Sequence, residues 1–279
     1  MNKWIIGARP RTLPAAIAPV LVATSLAGGA WKPLTAFLAL IVSLALQVGV
    51  NYANDYSDGI RGTDNNRVGP TRLTATGLAT ARAVRLAAFI SFTVAGVAGF
   101  VLASASSWWL LLVGALAIAA AWGYTGGSHP YGYMGLGEIS VFLFFGVVAT
   151  MGAYYVQTEQ VTLESFIVSV PMGSFACAIL AINNLRDRAQ DQLVGKITLA
   201  VRLGDRGARA LFIALLICGY IFAIATLRWG VTLTLLTLPM AIGLIKGVQK
   251  EGDNLIPLLA KTAQLQLVFA LLFSIGLVL

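Results

Sequence analysis

Apolar residues in this chain fall into long blocks separated by brief polar punctuation. Residues 13–27, 34–50 and 108–121 show the type. A hydrocarbon core about 30 Å thick is crossed by about 20 helical residues. Inside lipid the backbone must satisfy its own hydrogen bonds, which leaves helices or a closed barrel. The blocks lack the period-two alternation of a barrel strand. The pattern therefore predicts an all-α, polytopic membrane bundle with helices over 12–29, 35–57, 79–103, 107–124, 136–157, 163–187, 207–227, 230–247 and 255–278. The two longest polar connections are 58–78 and 188–206. No linker separates soluble domains, so 1–279 reads as one transmembrane domain.

Composition sharpens this picture. Of 279 residues, 58% are hydrophobic and 11% charged, against about 25% charged in a soluble domain. Under the nine-helix reading, 17 of the 19 Lys and Arg residues lie on one side, and only Lys32 and Arg228 on the other. Positive charge marks the cytoplasmic side, so the N-terminus is expected inside and the C-terminus outside. The net charge of +8 is a topology signal in this reading, not a nucleic-acid footprint. Cys177 and Cys218 fall in apolar helices and read as packing residues. His129 stands alone in a Gly/Pro/Tyr loop. Arg9, Pro10 and Arg11 interrupt the first apolar stretch, so no cleavable signal is expected.

The few acidic residues are unevenly placed. Asp55, Asp58 and Asp64 lie in NYANDYSDGIRGTD at the end of the second helix, and Asp187 and Asp191 lie in NNLRDRAQD at the end of the sixth. Asn51, Asp55 and Asp58 share a helical stripe, as do Asn183, Asp187 and Asp191, with Asn54 and Asn184 alongside. Like charges so spaced repel, and acids at a helix C-terminus oppose the macrodipole. A hard cation removes the repulsion. Mg²⁺ takes oxygen ligands, commonly one or two carboxylates completed by substrate phosphates, and the absence of His or Cys beside the clusters disfavours softer metals. Two such clusters facing each other can grip a diphosphate. Arg61, Arg67, Arg72, Arg186, Arg188, Lys196 and Arg202 surround them and suit phosphate oxygens. Lys196, in VGKIT directly after the second Asp pair, is favoured among them.

These residues resemble the UbiA superfamily of intramembrane aromatic prenyltransferases over nearly the whole chain. The first aspartate-rich motif of that family is similar to Asn54-Asp55-Tyr56-Ser57-Asp58. The second is similar to Arg186-Asp187-Arg188-Ala189-Gln190-Asp191 followed by Gly195-Lys196-Ile197-Thr198. Softer strings resemble the branch of the family that prenylates 1,4-dihydroxy-2-naphthoate in menaquinone synthesis. They are Trp4 with Ala8-Arg9-Pro10-Arg11-Thr12-Leu13-Pro14, Gly69-Pro70-Thr71-Arg72, and Tyr131-Gly132-Tyr133-Met134-Gly135-Leu136-Gly137-Glu138. Two departures stand out. Gly62 occupies the place of a frequent third Asp, with Asp64 two residues on, and Tyr124 is followed four residues later by Ser128 where some relatives carry Lys.

The resemblance implies an enzyme of the cell membrane, with its active site facing the cytoplasm. The donor would be a polyprenyl diphosphate arriving from membrane lipid, and the acceptor 1,4-dihydroxy-2-naphthoate. Mg²⁺ would be held by Asn51, Asn54, Asp55, Asp58, Asp187 and Asp191. Those four aspartates and Lys196 would be the catalytic residues. Arg9, Thr12, Asn184, Tyr124, Tyr131 and Asp64 would contact substrate. Tyr124, Tyr131, Phe142, Phe144 and Phe145 would offer aromatic faces to a developing allylic cation. Other acceptors, such as 4-hydroxybenzoate, homogentisate or a haem or chlorophyll precursor, stay open at this point. A transporter would place acidic groups nearer the midplane on broken helices. A CDP-alcohol phosphotransferase would follow Asp58-Gly59 with an Ala-Arg pair that this chain lacks.

Overall fold

A computed structural model describes residues 2–63, 71–250 and 255–279. The described residues are helical and contain no strand. In chain order the helices are α1 (Lys3–Ala8), α2 (Pro14–Ala27), α3 (Pro33–Arg61), α4 (Ala81–Ala105), α5 (Trp109–Gly123), α6 (Gly137–Val141), α7 (Ala149–Thr158), α8 (Leu163–Leu193), α9 (Leu199–Ile224), α10 (Leu238–Gln249) and α11 (Ile256–Val278). Seven helical runs among them are long and apolar enough to cross a membrane; α1 and α2, bent by 52°, form an eighth when the pair is taken as one span. α5 is apolar but shorter. The chain is a multi-pass membrane protein.

Local chemistry sets the helix ends. Pro33 opens α3, where its missing N–H costs nothing, and Gly62 closes it in the left-handed conformation at φ 73°, its N–H returning to Asp58 O and Gly59 O. Thr80 caps α4, Thr198 caps α9, and Thr162 with Ser165 forms a capping box at the start of α8. Between α6 and α7 the backbone widens into a π-helical stretch, Phe142–Val148. There a Cβ at Gly146 would stand 2.5 Å from Gly173 Cα, so paired glycines let this stretch press against α8.

α8 is the central helix: it packs on α9, α11, α2, α7 and the π-helical stretch. Its Met172, Phe175 and Ile182 are fully buried, and Phe175 meets Phe269 of α11 at 4.6 Å between ring centroids. On the outer helices the polarity is reversed relative to a soluble protein. Leu86, Phe89 and Val97 of α4 and Leu112 and Leu116 of α5 are exposed, as lipid-facing side chains are.

Several boundaries differ from the sequence expectation. α8 runs on to Leu193 and α9 begins at Leu199, so most of 188–206 is helical and not a loop. α9 breaks at Gly204, φ 71°. The stretch expected as helix from 230 starts as 3₁₀ turns over Trp229–Thr237.

Candidate active site

The C-terminal ends of α3 and α8 come together around one cavity of about 320 Å³. Its polar end is lined by Asn54, Asp58 and Arg72 from the α3 side and by Asn183, Asn184 and Lys196 from the α8 side. From there it runs between apolar walls to Ala39, near the other end of α3, past Val20, Leu102, Leu110, Val113 and Val156. Along α3 the separation from Asp58 to Ala39 is about 28 Å at 1.5 Å per residue.

Tyr133 joins the two ends, and the sequence reading passed over it. Its hydroxyl donates to Asp58 Oδ1 at 2.8 Å, and its ring carries Lys196 Nζ at 5.3 Å and the Arg61 guanidinium at 5.5 Å. Burial and the negative charge of Asp58 push the phenol well above its usual range, so it stays an O–H donor. Its place in a Gly-rich loop between two spans was the available signal. Arg72 Nη2 lies 3.8 Å from Asp58 Oδ2.

On α8, Arg186 holds the Asp187 carboxylate with two hydrogen bonds of 2.7 Å and Asn183 Oδ1 with one of 2.8 Å. Lys196 Nζ lies 3.7 Å from Asp191 Oδ1. The turn that delivers Lys196 passes through Gly195 at φ 74°, is tied back by Lys196 N–H to Asp191 O, and meets the Tyr133 carbonyl through the Ile197 N–H.

Other expected residues sit elsewhere. Both Asp55 oxygens accept backbone N–H groups, Leu73 at 2.8 Å and Thr74 at 2.9 Å, and Asp55 is fully buried away from the cavity. Asn51 lines the cavity, but its amide donates to Ala8 O and Thr12 Oγ1 and accepts from Gln47. That network replaces the metal ligation expected of Asn51 because the α1–α2 junction lies within its reach. Arg61 donates to the Thr125 and Gly127 carbonyls. Arg202 donates to Met134 O at 2.9 Å. Arg61, Arg186, Arg188 and Arg202 do not line the cavity, and Asp187 and Asp191 are buried just behind its lining residues Asn183, Asn184 and Lys196. Asp64 and Arg67 lie outside the described residues.

Of the acceptor candidates, Arg9 and Thr12 lie at the α1–α2 junction. Arg9 lines the cavity with a left-handed backbone, φ 52°, and its Nη2 is buried without a partner among the described residues. Thr12 Oγ1 bonds Arg9 O and takes hydrogen bonds from Gln47 and Asn51, so this corner is a fixed polar wall. Tyr124, Tyr131, Phe144 and Phe145 line the cavity, whereas Phe142 is turned onto Gly173. Tyr131 is anchored through its hydroxyl to Ala120 O and Ser140 Oγ, both at 2.8 Å. Asn184 donates to Glu138 at 3.0 Å, a second partner that the sequence reading left unassigned. Thr125 donates to Asn54 Oδ1 at 2.8 Å.

The sequence profile of the UbiA prenyltransferase family matches residues 16–253. The chain belongs to that family. Among similar family members is the 1,4-dihydroxy-2-naphthoate octaprenyltransferase of Mycobacterium tuberculosis, 48% identical over 96% of this chain and 94% of that protein. The Escherichia coli protein of the same name is 38% identical over 98% and 94%. The fold is similar to an apo UbiA homolog from Aeropyrum pernix (TM-score 0.70, 17% identity, 95% of each chain). It is also similar to a UbiA homolog from Archaeoglobus fulgidus bound to DMAPP and Mg²⁺ (TM-score 0.68, 14% identity, 99% of each chain).

Among the described residues no three His, Cys, Asp or Glu side chains surround one point. The polar end offers hard oxygen donors from two helices, with two cations already beside them. That donor set fits an ion completed by substrate phosphate and water, not a preformed protein cage.

Proposed function

We propose that this protein transfers a polyprenyl group from polyprenyl diphosphate to 1,4-dihydroxy-2-naphthoate, releasing diphosphate and CO₂ and giving the reduced, quinol form of demethylmenaquinone. The observation that carries the reading is the cavity that joins Asn54 and Asp58 of α3, and Asn183, Asn184 and Lys196 beside the second motif, to an apolar passage about 28 Å long along α3. The names of the relatives matched over nearly their full length supply the acceptor. The whole of 1–279 acts as one catalytic domain with nine spans, in the cell membrane, with its N-terminus and site facing the cytoplasm, as the distribution of Lys and Arg indicates.

Asn54 and Asp58 from α3, with Asp187 and Asp191 from α8, would hold Mg²⁺, which when bound would supply charge neutralisation that makes the diphosphate a better leaving group. Lys196 and Arg72 line the same end and take up negative charge as the allylic C–O bond breaks and its electron pair leaves with the diphosphate. Lys196 is already shared with Asp191 and the Tyr133 ring, so it is positioned before substrate arrives. The faces of Tyr124, Tyr131, Phe144 and Phe145 stabilise the allylic cation. The apolar passage keeps the prenyl tail out of water, worth about 0.8 kcal/mol per CH₂.

The acceptor's carboxylate pairs with Arg9, whose unpartnered Nη2 supplies the donor. The ring carbon bearing that carboxylate forms the new C–C bond. Its bond to the carboxylate then breaks, CO₂ leaves, and the released electron pair restores the aromatic ring. No proton needs to be removed from that carbon.

The test is purified protein in detergent with Mg²⁺, a polyprenyl diphosphate and a panel of acceptors, followed by product mass and labelled CO₂. The naphthoate is expected to react with one CO₂ per transfer. A one-ring acid such as 4-hydroxybenzoate is expected to react about a hundredfold more slowly, since about 2–3 kcal/mol of aromatic burial is lost. Efficient prenylation of 4-hydroxybenzoate with its carboxylate retained, and none of the naphthoate, overturns the acceptor assignment.

A further inference from the structure

Asp55 stands in the middle of the first aspartate motif, where spacing alone makes it equivalent to Asp58. Its surroundings make it something else. Its side chain is fully buried, and its two oxygens are divided between two consecutive amides, Leu73 N–H at 2.8 Å and Thr74 N–H at 2.9 Å. Those amides belong to a compact turn closed by Thr76 N–H to Arg72 O, Gly77 N–H to Thr74 O and Ala79 N–H to Leu73 O. The turn is pressed onto α3 and α1. A Cβ at Gly59 would stand 2.5 Å from Thr74 Cβ, and one at Gly7 would stand 2.7 Å from both Leu73 Cδ1 and Tyr52 Cε1. The residue directly before this pair is Arg72, which lines the cavity 3.8 Å from Asp58.

We propose that Asp55 is a positioning residue and not a metal ligand: it clamps the Leu73–Thr74 backbone to α3 and thereby holds Arg72 against Asp58 at the diphosphate end of the cavity. A carboxylate suits the task because it presents two acceptors and no donor, matching two parallel N–H groups. Asparagine at this position keeps one acceptor and turns an NH₂ toward the second amide. The proposal rests on the diphosphate reading of the site given above. It divides the motif into a residue that holds the wall and a residue that faces the substrate.

The first test uses the unaltered protein. Hydrogen exchange is followed for the amides of Leu73 and Thr74, alone and with Mg²⁺ and a prenyl diphosphate. A clamp keeps these amides protected, or protects them further, when both are added. A carboxylate that turns to the metal releases them, so loss of protection on adding Mg²⁺ and diphosphate overturns the proposal.

The second test compares D55N with D58N. For D55N the donor KM is expected to rise at least about tenfold, on the order of 1.4 kcal/mol, while the Mg²⁺ concentration for half-activation at saturating donor moves less than about twofold. R72M should reproduce that split, and D55N added to R72M should have little further effect, as expected for two residues acting through one contact. D58N should instead raise the Mg²⁺ requirement. A Mg²⁺ requirement raised as much in D55N as in D58N, or full additivity with R72M, overturns the clamp. If the diphosphate reading itself fails, the unaltered protein shows no Mg²⁺-dependent transfer, an outcome distinct from either of these.

Discussion

The ends of α3 and α8 carry similar strings of acid and amide, and the protein holds their charge in different ways. At α3 the principal partners are neutral: the Leu73 and Thr74 amides on Asp55 and the Tyr133 hydroxyl on Asp58. Among the described residues, the cation beside Asp58 is Arg72, from another segment, at 3.8 Å. At α8 the partners among the described residues include cations of the same segment, Arg186 on Asp187 and Lys196 beside Asp191. Neutral donors fix the direction of a carboxylate and leave its charge in place; cations cancel the charge and must be shared when a metal or phosphate arrives. The α3 motif is thus set in geometry, and the α8 motif is set in charge.

The largest expected effect tests whether both halves serve one ion site. Asp58→Ala, Asp187→Ala and Asp191→Ala should each lower Mg²⁺-dependent transfer by about a thousandfold or more while the protein stays folded by thermal melting in detergent. Near-normal activity in any two of them would show that the two motifs do not share a metal. Next in size is Lys196→Met, which should raise the donor KM about tenfold and the acceptor KM less. An unchanged donor KM and kcat would return Lys196 to a charge that only sets topology.

Tyr133→Phe removes one neutral donor from Asp58 and should lower kcat/KM about fivefold, the scale of a hydrogen bond worth about 1 kcal/mol. Because burial and Asp58 raise the Tyr133 phenol well above its usual range, it remains protonated through pH 10. The ratio of unaltered to Tyr133→Phe activity should therefore stay flat between pH 7 and 10, and a ratio that falls toward pH 10 would contradict this. The smallest effect is the sharpest on the contrast between motifs. Arg186→Met removes a cation that competes for Asp187 and should lower the Mg²⁺ concentration for half-activation about threefold, on the order of 0.6 kcal/mol. The same concentration raised in Arg186→Met would mean that Arg186 supports the ion instead of competing with it.

Much of this was legible along the chain. Long apolar blocks gave the helical membrane fold, and the i, i+4 spacing of Asn183, Asp187 and Asp191 survives as a helical stripe because α8 stays regular to Leu193. The end of α8 was misplaced because the apolar pattern stops where the hydrocarbon does, whereas R-D-R-A-Q-D-Q holds good helix formers that continue the helix. The same spacing argument treated Asp55 as a twin of Asp58. A helical stripe states which residues share a face, not which loop covers that face. The partners of Asp55 are 18 and 19 residues away, and those of Asn51 lie across the junction at Ala8 and Thr12. Tyr133 and Glu138 were missed for a related reason: each acts through a contact that exists only after the chain has folded back on α3 or α8.

The shortness of α5 has a consequence for the membrane itself. Its 15 residues make about 22 Å of helix, whereas a bilayer core is about 30 Å thick. The backbone that follows, from Tyr124 through Leu136, leaves the α-helix, makes a 3₁₀ turn over Tyr131–Met134 and folds against the end of α3, bringing Thr125 to Asn54 and Tyr133 to Asp58. Irregular backbone at hydrocarbon depth survives only where protein buries it or water reaches it. A span too short for its bilayer also draws the surrounding lipid thinner. A bilayer thinned around α5 would bring its aqueous boundary toward the midplane, and a lipid-borne diphosphate would then reach the cations at the polar end of the cavity over a shorter distance from the headgroup layer.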